Sequence, residues 1–183
     1  MLTYILLAAI LLIIIYAVVI YNRLITLKNL NKEAYSGIDI QLKQRANLIP
    51  NLIETVKGYM GHERGVLEKV TELRTQALAS SNIAERAANE NMLTGALKSL
   101  FAVAENYPDL KASQNFIDLQ QTLTSIENQI QLSRRYYNGT VRDLNIAIQS
   151  FPSNIIANSF HFTPAEFFEI EDVKEKEVPS VKF

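Results

Sequence analysis

Residues 109–151 read DLKASQNFIDLQQTLTSIENQIQLSRRYYNGTVRDLNIAIQSF, and this stretch determines the expected fold. Its apolar residues recur at steps of three and four, with one step of seven: Phe116, Leu119, Leu123, Ile126, Ile130, Tyr137, Val141, Leu144, Ile148 and Phe151. This spacing is typical of one face of a long helix that packs against its neighbours at shallow angles. About 40 helical residues extend roughly 60 Å. We therefore expect an all-α fold, an elongated antiparallel bundle of four to five long helices.

Two further apolar stripes precede this stretch. The first consists of Leu52, Val56, Tyr59, Val66, Val70, Leu73 and Ala77, and the second of Leu93, Leu97, Leu100, Ala104 and Tyr107. Both have helical spacing, so each predicts a helix that packs into the same bundle.

Helix ends are also predicted by the sequence. Asn82, followed three residues later by Glu85, is typical of a helix N-cap and its capping partner. Pro108 and Pro152 each predict the end of a helix. Pro50 lies within an apolar pattern, so it predicts either a kink in a continuous helix or a short break.

All six glycines fall within helical patterns. Glycine in a helix interior costs about 1 kcal/mol relative to alanine, so a compensating contact is expected. Gly58, Gly61 and Gly65 share one face at helical spacing, and we expect another helix to approach them closely.

Residues 2–21, LTYILLAAILLIIIYAVVIY, contain no charged side chain. A helix of this length spans roughly 30 Å, the thickness of the hydrocarbon core of a bilayer. Tyr4 lies near one end and Tyr16 and Tyr21 near the other, where aromatic rings favour the interface. No basic residue precedes the apolar core, the core is longer than in a signal peptide, and no small-residue cleavage site follows. The segment is therefore predicted to be an uncleaved, single-pass membrane anchor.

The flanks of this segment predict its orientation. Only Met1 precedes it, whereas a basic excess follows it: Arg23, Lys28, Lys32, Lys43 and Arg45 against Glu33 and Asp39. The positive-inside rule places the C-terminal part in the cytoplasm and a short N-tail outside. The expected domains are an N-tail and anchor at 1–22, a helical bundle at 23–159 and a largely flexible, charged C-terminal segment at 160–183.

Composition argues against several classes of site. The chain has 18 Lys and Arg against 19 Asp and Glu, so it lacks the basic excess of a nucleic-acid-binding protein. It has no Cys and two His, and it contains neither a Glu-x-x-His nor a His-Glu-x-x-His pattern. We expect no metal, no cofactor and no catalytic residue. The enzymatic alternative is a hydrolase that uses His62, Glu63 or Glu105.

Several short motifs together resemble one known family. They are RANLIPNL (45–52), VKGY (56–59), HE (62–63), AENYPDLKA (104–112), LQ (119–120), ENQI (127–130), RRYYN (134–138), Asn145 and FP (151–152). This set is similar to the LemA family of bacterial membrane proteins, and the resemblance covers nearly the whole chain. It implies a short external N-tail, one transmembrane helix and a cytoplasmic bundle of long antiparallel helices. It implies no activity, because the family has no established biochemical function.

Polar residues on the predicted helices are the first candidates for a site. The family pattern points to Arg45, Asn47, Asn51, Glu63, Arg74, Glu105, Glu127, Asn128, Arg134, Asn138 and Asn145. One interpretation is that they form interhelical hydrogen bonds and salt bridges that fix helix register. The other is a polar groove that docks a helix or peptide of a partner, with Asn138 and Asn145 on one face as its best candidates.

The C-terminus is a second candidate site. Its last residues alternate apolar side chains before a terminal carboxylate: Val178, Pro179, Val181 and Phe183. This pattern suits β-augmentation or carboxylate capture by a partner, and the alternative is a frayed end.

The expected function is a non-enzymatic scaffold or adaptor that recognises other membrane or cytoplasmic proteins through a helical face. Its expected partners are the lipid bilayer, those proteins and, as a further hypothesis, a second copy of the chain, with no nucleic acid. The alternatives are a sensory or signalling module and a membrane-associated enzyme. Met1 alone outside the membrane disfavours a receptor for an external ligand.

Overall fold

The computed structural model describes residues 1–61 and 63–168, and within these ranges the chain is all-α, without a strand. The helices are α1 (Leu2–Lys57), α2 (Arg64–Ala79), α3 (Ile83–Ala104), α4 (Pro108–Lys111), α5 (Gln114–Gln149) and α6 (Ser153–Ser159). Helices α1, α2, α3 and α5 are long. The short helix α4 lies between α3 and α5, and the short helix α6 follows α5. The expected all-α fold with an apolar N-terminal helix is confirmed.

The turn between α2 and α3 is stabilised as the sequence predicts. Asn82 is the N-cap of α3, and its side-chain Oδ1 accepts a hydrogen bond from the Glu85 backbone N–H at 2.8 Å. The Glu85 carboxylate in turn accepts from the Ser81 backbone N–H at 3.1 Å. Both contacts pair donors that no intrahelical carbonyl reaches, so they fix the start of α3.

Two prolines mark helix boundaries. Pro152 directly precedes α6, and α5 ends three residues before it at Gln149. Pro108 occupies the first turn of α4, where its missing N–H costs nothing. This short helix separates α3 from α5, so the long helix begins at Gln114 rather than at Asp109.

The glycine interpretation is wrong at the α1–α2 connection. Helix α1 ends at Lys57, and Gly58 and Gly61 lie in the turn that reverses the chain before α2. A Cβ atom built on Gly61 or Gly65 would meet no atom of the described residues within 4 Å, so no helix described in the structure approaches these positions closely. The turn also divides the apolar stripe 52–77 between two helices.

Helix α1 contains the segment predicted to be a membrane anchor. Its most apolar 18-residue window has a mean hydropathy of 2.9, and no part of that window is covered by other described residues. By length and composition the helix can cross a bilayer.

The chain divides into two compact units. The first, the anchor unit, is Met1–Ile40 with Ile130–Phe167, and the second, the bundle unit, includes Gln41–Gln129. Helices α1 and α5 each contribute to both.

The bundle unit has an apolar core built from the end of α1, from α2, α3 and α4, and from the start of α5. Its buried members are Ile49, Leu52, Val56, Met60, Leu67, Val70, Leu73, Ala77, Leu93, Leu97, Leu100, Ala104, Leu110, Phe116 and Leu123. Most of the residues in the two shorter predicted stripes are in this set. Tyr59 is an exception at 44 % exposure, because it lies in the turn after α1.

The anchor unit has a smaller core next to the apolar segment. Leu24 packs with Leu144, Ile148 and Ala157, which brings α1, α5 and α6 together. The chain after α6 continues along the same unit, where Phe162 is packed against this cluster.

Candidate functional site

Arg45 lies at the centre of a buried polar cluster in the bundle unit. Its guanidinium pairs with the carboxylates of Glu90 on α3 and Glu127 on α5. Nη1 also donates to the Thr94 hydroxyl at 2.7 Å, and Nη2 donates to the backbone carbonyl of Glu90 at 3.2 Å. One side chain from α1 therefore connects α1 to both α3 and α5.

The ion pairs of this cluster are largely buried, so breaking one of them would cost free energy. The side chains of Arg45 and Glu90 are 1 % and 3 % exposed, and that of Glu127 is 25 % exposed. Removing one partner of a buried ion pair leaves an uncompensated charge, which costs about 3–5 kcal/mol. Two carboxylates on one guanidinium thus strongly disfavour a shift in the register of these three helices.

Arg74 lies on α2 and forms a hydrogen bond with the backbone of α1. Its Nε donates to the backbone carbonyl of Ala46 at 2.6 Å. In a regular helix that carbonyl would accept from the N–H of residue 50, but residue 50 is proline and has no N–H. Arg74 therefore supplies the donor that Pro50 removes. This contact explains how α1 continues through Pro50 without a break.

A second polar cluster lies in the anchor unit around Tyr137. The Tyr137 hydroxyl donates to the backbone carbonyl of Glu166 at 2.9 Å, and its ring centroid lies 5.6 Å from that of Tyr35. Burial, together with the neighbouring Tyr35 and Glu166, raises the pKa of Tyr137, while a hydrogen bond with Asn31 opposes this shift. The phenol is therefore held in its neutral, hydrogen-bonding form.

Asn145 fastens the chain that follows α6. Its Nδ2 donates to the carbonyl of Ala165 at 3.0 Å, and its Oδ1 accepts from the N–H of Ala165 at 2.8 Å. The Asn145 side-chain amide thus forms hydrogen bonds with both the N–H and the carbonyl of Ala165. One N–H and the oxygen of the amide are used within the chain, so a docked partner would have to compete with Ala165 for them.

The remaining predicted residues divide by exposure. Asn47, Asn51, Glu105 and Asn128 are exposed, and their side chains form no hydrogen bond or ion pair with other described residues. Glu63 is half-buried at the N-cap of α2, and its side chain accepts no capping hydrogen bond.

Two more predicted residues lie in the anchor unit. Arg134 is buried and Asn138 is half-buried, and both contact other groups of the chain. Of the predicted residues, Arg45 and Glu127 therefore form an ion pair with each other. The exposed asparagines do not take part in this cluster.

Some predicted positions lie outside the described residues. These are His62 and the C-terminal motif of Val178, Pro179, Val181 and Phe183. Their proposed roles stay predictions.

Sequence inspection missed Glu90 and Thr94 in the buried cluster, and Asn31 and Tyr35 around Tyr137. Glu90 had a detectable signal, because it lies three residues before Leu93 and seven before Leu97, at the spacing of the buried face. A carboxylate at an apolar position predicts a buried partner of opposite charge. Asn31 and Tyr35 have no such signal, since their partners are more than 100 residues away.

The surface of each unit has shallow open pockets. In the anchor unit a pocket of about 270 Å³ is lined by residues of α1, the end of α5 and the start of α6, including Tyr16, Arg23 and Phe151. In the bundle unit a pocket of about 380 Å³ lies at the α1–α2 turn beside Lys57 and Arg64. Among the described residues no group of three or more His, Asp or Glu side chains is arranged to hold a metal ion.

Comparison with known proteins places this architecture in a family. The sequence profile of the LemA family matches residues 34–183. Protein LemA of Metamycoplasma hominis is 25 % identical over 161 residues, which cover 86 % of this chain and 72 % of that protein.

Magnetosome proteins are also similar to this chain. Magnetosome protein MamQ 2 of Paramagnetospirillum magneticum is 21 % identical over 175 residues, and magnetosome protein MamQ of Magnetospirillum gryphiswaldense is 19 % identical over 174 residues. In both cases the match covers 81 % of this chain but 64 % of the relative, so the chain spans less than two thirds of their length.

Proposed function

Because the chain belongs to the LemA family, we propose that it is a membrane-anchored, non-enzymatic scaffold or adaptor that binds other proteins at the cytoplasmic face of the membrane. The family and the apolar N-terminal helix fit a membrane protein. The side of the membrane, the absence of catalysis and the protein partners are the parts that we propose.

The observation that supports this proposal is the make-up of α1. Its first part is an apolar segment with exposed side chains, and its last part presents one face to the core of the bundle unit. The opposite face of that last part displays Asn47 and Asn51 to solvent, four residues apart on the same side of the helix. A single helix thus connects the proposed anchor to an exposed polar face.

The chemistry of that face suits recognition of another helix. Each amide side chain offers both donors and an acceptor, and neither Asn47 nor Asn51 uses them within the described chain. The buried Arg45 on the same helix ties α1 to α3 and α5, so the two amides lie on a rigid element. Rigid presentation reduces the ordering entropy that binding costs.

Orientation is tested by a single introduced cysteine, because the chain has none. Gln121→Cys lies at an exposed position of the bundle unit. We expect a membrane-impermeant maleimide to label this variant in inverted membrane vesicles and not in intact cells. Labelling in intact cells would place the bundle unit outside and overturn the cytoplasmic assignment.

Partner binding is tested by crosslinking in native membranes with mass spectrometry. The variant is Asn47→Ala with Asn51→Ala, and the matched control is Asn115→Ala with Gln121→Ala, which removes two exposed amides from α5. Exposed substitutions change stability by about 0.5 kcal/mol or less, and circular dichroism verifies that both variants fold.

We expect one specific protein crosslink to fall at least tenfold in the Asn47/Asn51 variant and to persist in the control. Crosslinks only between copies of the chain, or equal crosslinks in both variants, would overturn the adaptor proposal and favour a structural oligomer.

A further inference from the structure

Three large apolar side chains on or next to α6 are exposed. Phe151 is 80 % exposed, Ile155 is 55 % exposed and Phe160 is 58 % exposed. They lie before, on and directly after α6, and we call them the turn patch. Three large exposed apolar side chains within residues 151–160 indicate a surface that another apolar phase covers.

The turn patch lies beside the end of the apolar segment of α1. The ring centroid of Phe160 is 4.7 Å from that of Tyr21. Phe151 lines the same pocket as Tyr16 and Ile20. All these residues belong to the anchor unit, and Phe151 and Phe160 adjoin the end of the bilayer-compatible segment of α1.

The position of these contacts along α1 gives a depth. Residues 2–21 are uncharged and match the hydrocarbon core in length, so Tyr21 lies at its boundary. Tyr16 is five residues earlier, which is roughly 7.5 Å deeper at the helical rise. Apolar side chains of interfacial helices reach about 5–10 Å into the same region. Phe151 therefore lies at the level of the headgroup–acyl boundary.

We propose that the turn patch is a second membrane contact of this protein, and that the adjacent pocket holds a phospholipid whose phosphate is bound by Arg23. This inference rests on the membrane anchor in the proposed function. Phe151, Ile155 and Phe160 insert beside the anchor, so the anchor unit is held to the bilayer at two places along its sequence.

The pocket has the chemistry that a phospholipid requires. It has a volume of about 270 Å³, and its apolar lining includes Tyr16, Ile20 and Ile146. Arg23 lines it as well, is exposed and forms no ion pair with other described residues. A guanidinium binds phosphate oxygens through two parallel hydrogen bonds.

The acidic residue of the pocket does not cancel this charge. The Asp143 carboxylate forms an exposed ion pair with the Arg142 guanidinium at 3.0 Å, so Arg23, Arg142 and Asp143 together carry a net positive charge. Within the described residues, the pocket therefore offers the Arg23 cation without a partner at the depth where headgroup phosphates lie, and it favours an anionic phospholipid.

The absence of tryptophan in the chain allows a direct depth measurement. Three single-tryptophan variants of the full chain are reconstituted in phosphatidylcholine vesicles that contain lipids brominated on their acyl chains, which quench tryptophan on contact. Phe151→Trp probes the turn patch and Ile10→Trp probes the anchor. Tyr136→Trp is the matched aqueous control, because Tyr136 is 55 % exposed on α5.

We expect at least a twofold loss of fluorescence for Phe151→Trp and for Ile10→Trp, and no loss for Tyr136→Trp. If Ile10→Trp is quenched and Phe151→Trp is not, the turn contact is refuted while the anchor stands; a protein partner would then be the occupant of the patch. If neither is quenched, the anchor and this inference fail together.

The role of Arg23 is tested in the Phe151→Trp background. We expect brominated phosphatidylglycerol to quench about threefold more than brominated phosphatidylcholine at equal amounts, and Arg23→Gln to abolish this preference. A preference that survives Arg23→Gln would overturn the assignment of the phosphate contact to Arg23.

Discussion

Replacing Arg74 with methionine is expected to destabilise the bundle unit because it leaves the Ala46 carbonyl without a donor. Pro50 cannot supply the usual N–H, and the Arg74 Nε lies 2.6 Å from that carbonyl oxygen. A hydrogen bond from a charged donor to a buried acceptor contributes about 1.5–3 kcal/mol. We therefore expect Arg74→Met to lower the free energy of unfolding by this amount.

The expected loss of stability depends on the missing N–H of Pro50, so a double-mutant cycle tests this cause. Pro50→Ala restores the N–H that bonds to the Ala46 carbonyl, and the loss from Arg74→Met should then fall below about 1 kcal/mol. The assay is urea-induced unfolding of the full chain in detergent micelles, followed by far-ultraviolet circular dichroism. Arg64→Met, at an exposed position of the same helix, is the matched control and should change stability by about 0.5 kcal/mol or less.

Equal losses from Arg74→Met in the original chain and in the Pro50→Ala variant would refute the explanation. Arg74 would then stabilise the unit through packing of its aliphatic stem, and another account of the continuous α1 helix would be needed.

Three further predictions concern the two polar clusters and the contact of Asn145 with Ala165. Arg45→Met leaves the buried Glu90 carboxylate uncompensated and should lower the free energy of unfolding by about 3–5 kcal/mol, whereas adding Glu90→Leu should recover much of the loss in the same urea assay. Burial raises the pKa of Tyr137, so in the folded state the phenol stays protonated above the ordinary tyrosine pKa of about 10. The protonated phenol therefore contributes its full stabilisation below about pH 10, and this stabilisation is lost as pH rises through the raised pKa. An ultraviolet titration of tyrosine ionisation should show a late component that Tyr137→Phe removes, and persistence of this component in that variant would contradict the assignment. Asn145→Ala should speed amide hydrogen exchange at Ala165 by about 10–100-fold, while Asn158→Ala, an exposed change nearby, should leave that rate unaltered.

Helix positions were predictable because their causes are local. The steps of three and four from Phe116 to Ile148 place one face inward wherever the helix lies, and the structure buries most of that face. The Asn82 cap and the boundaries at Pro108 and Pro152 likewise depend on backbone groups a few residues away. The prediction for Gly58 and Gly61 was wrong because it also used local spacing. Glycine is tolerated within a helix and is common in turns, so helical spacing alone does not distinguish the two.

The candidate site was only partly predictable because its partners are distant in sequence. Arg45 and Glu127 were singled out by resemblance, but their contact, 82 residues apart, required the packing of α1 against α5. Asn145 and Asn47 were both predicted as docking candidates by resemblance, and Asn145 was preferred because it shares a helix face with Asn138. The structure gives the first an internal partner at Ala165 and leaves the second exposed.

The sequence by itself determined the all-α class, the apolar N-terminal helix and most helix boundaries, because periodicity, capping and uncharged length act through neighbours along the chain. Its short motifs, by resemblance, indicated the family. Only the tertiary structure decided which polar side chains are buried, that Arg74 compensates for Pro50, and that Phe151 and Phe160 lie beside the end of the apolar segment. Those outcomes depend on which helix faces meet across long sequence separations. A one-dimensional pattern of apolar residues specifies that a face is covered, but not by which residues.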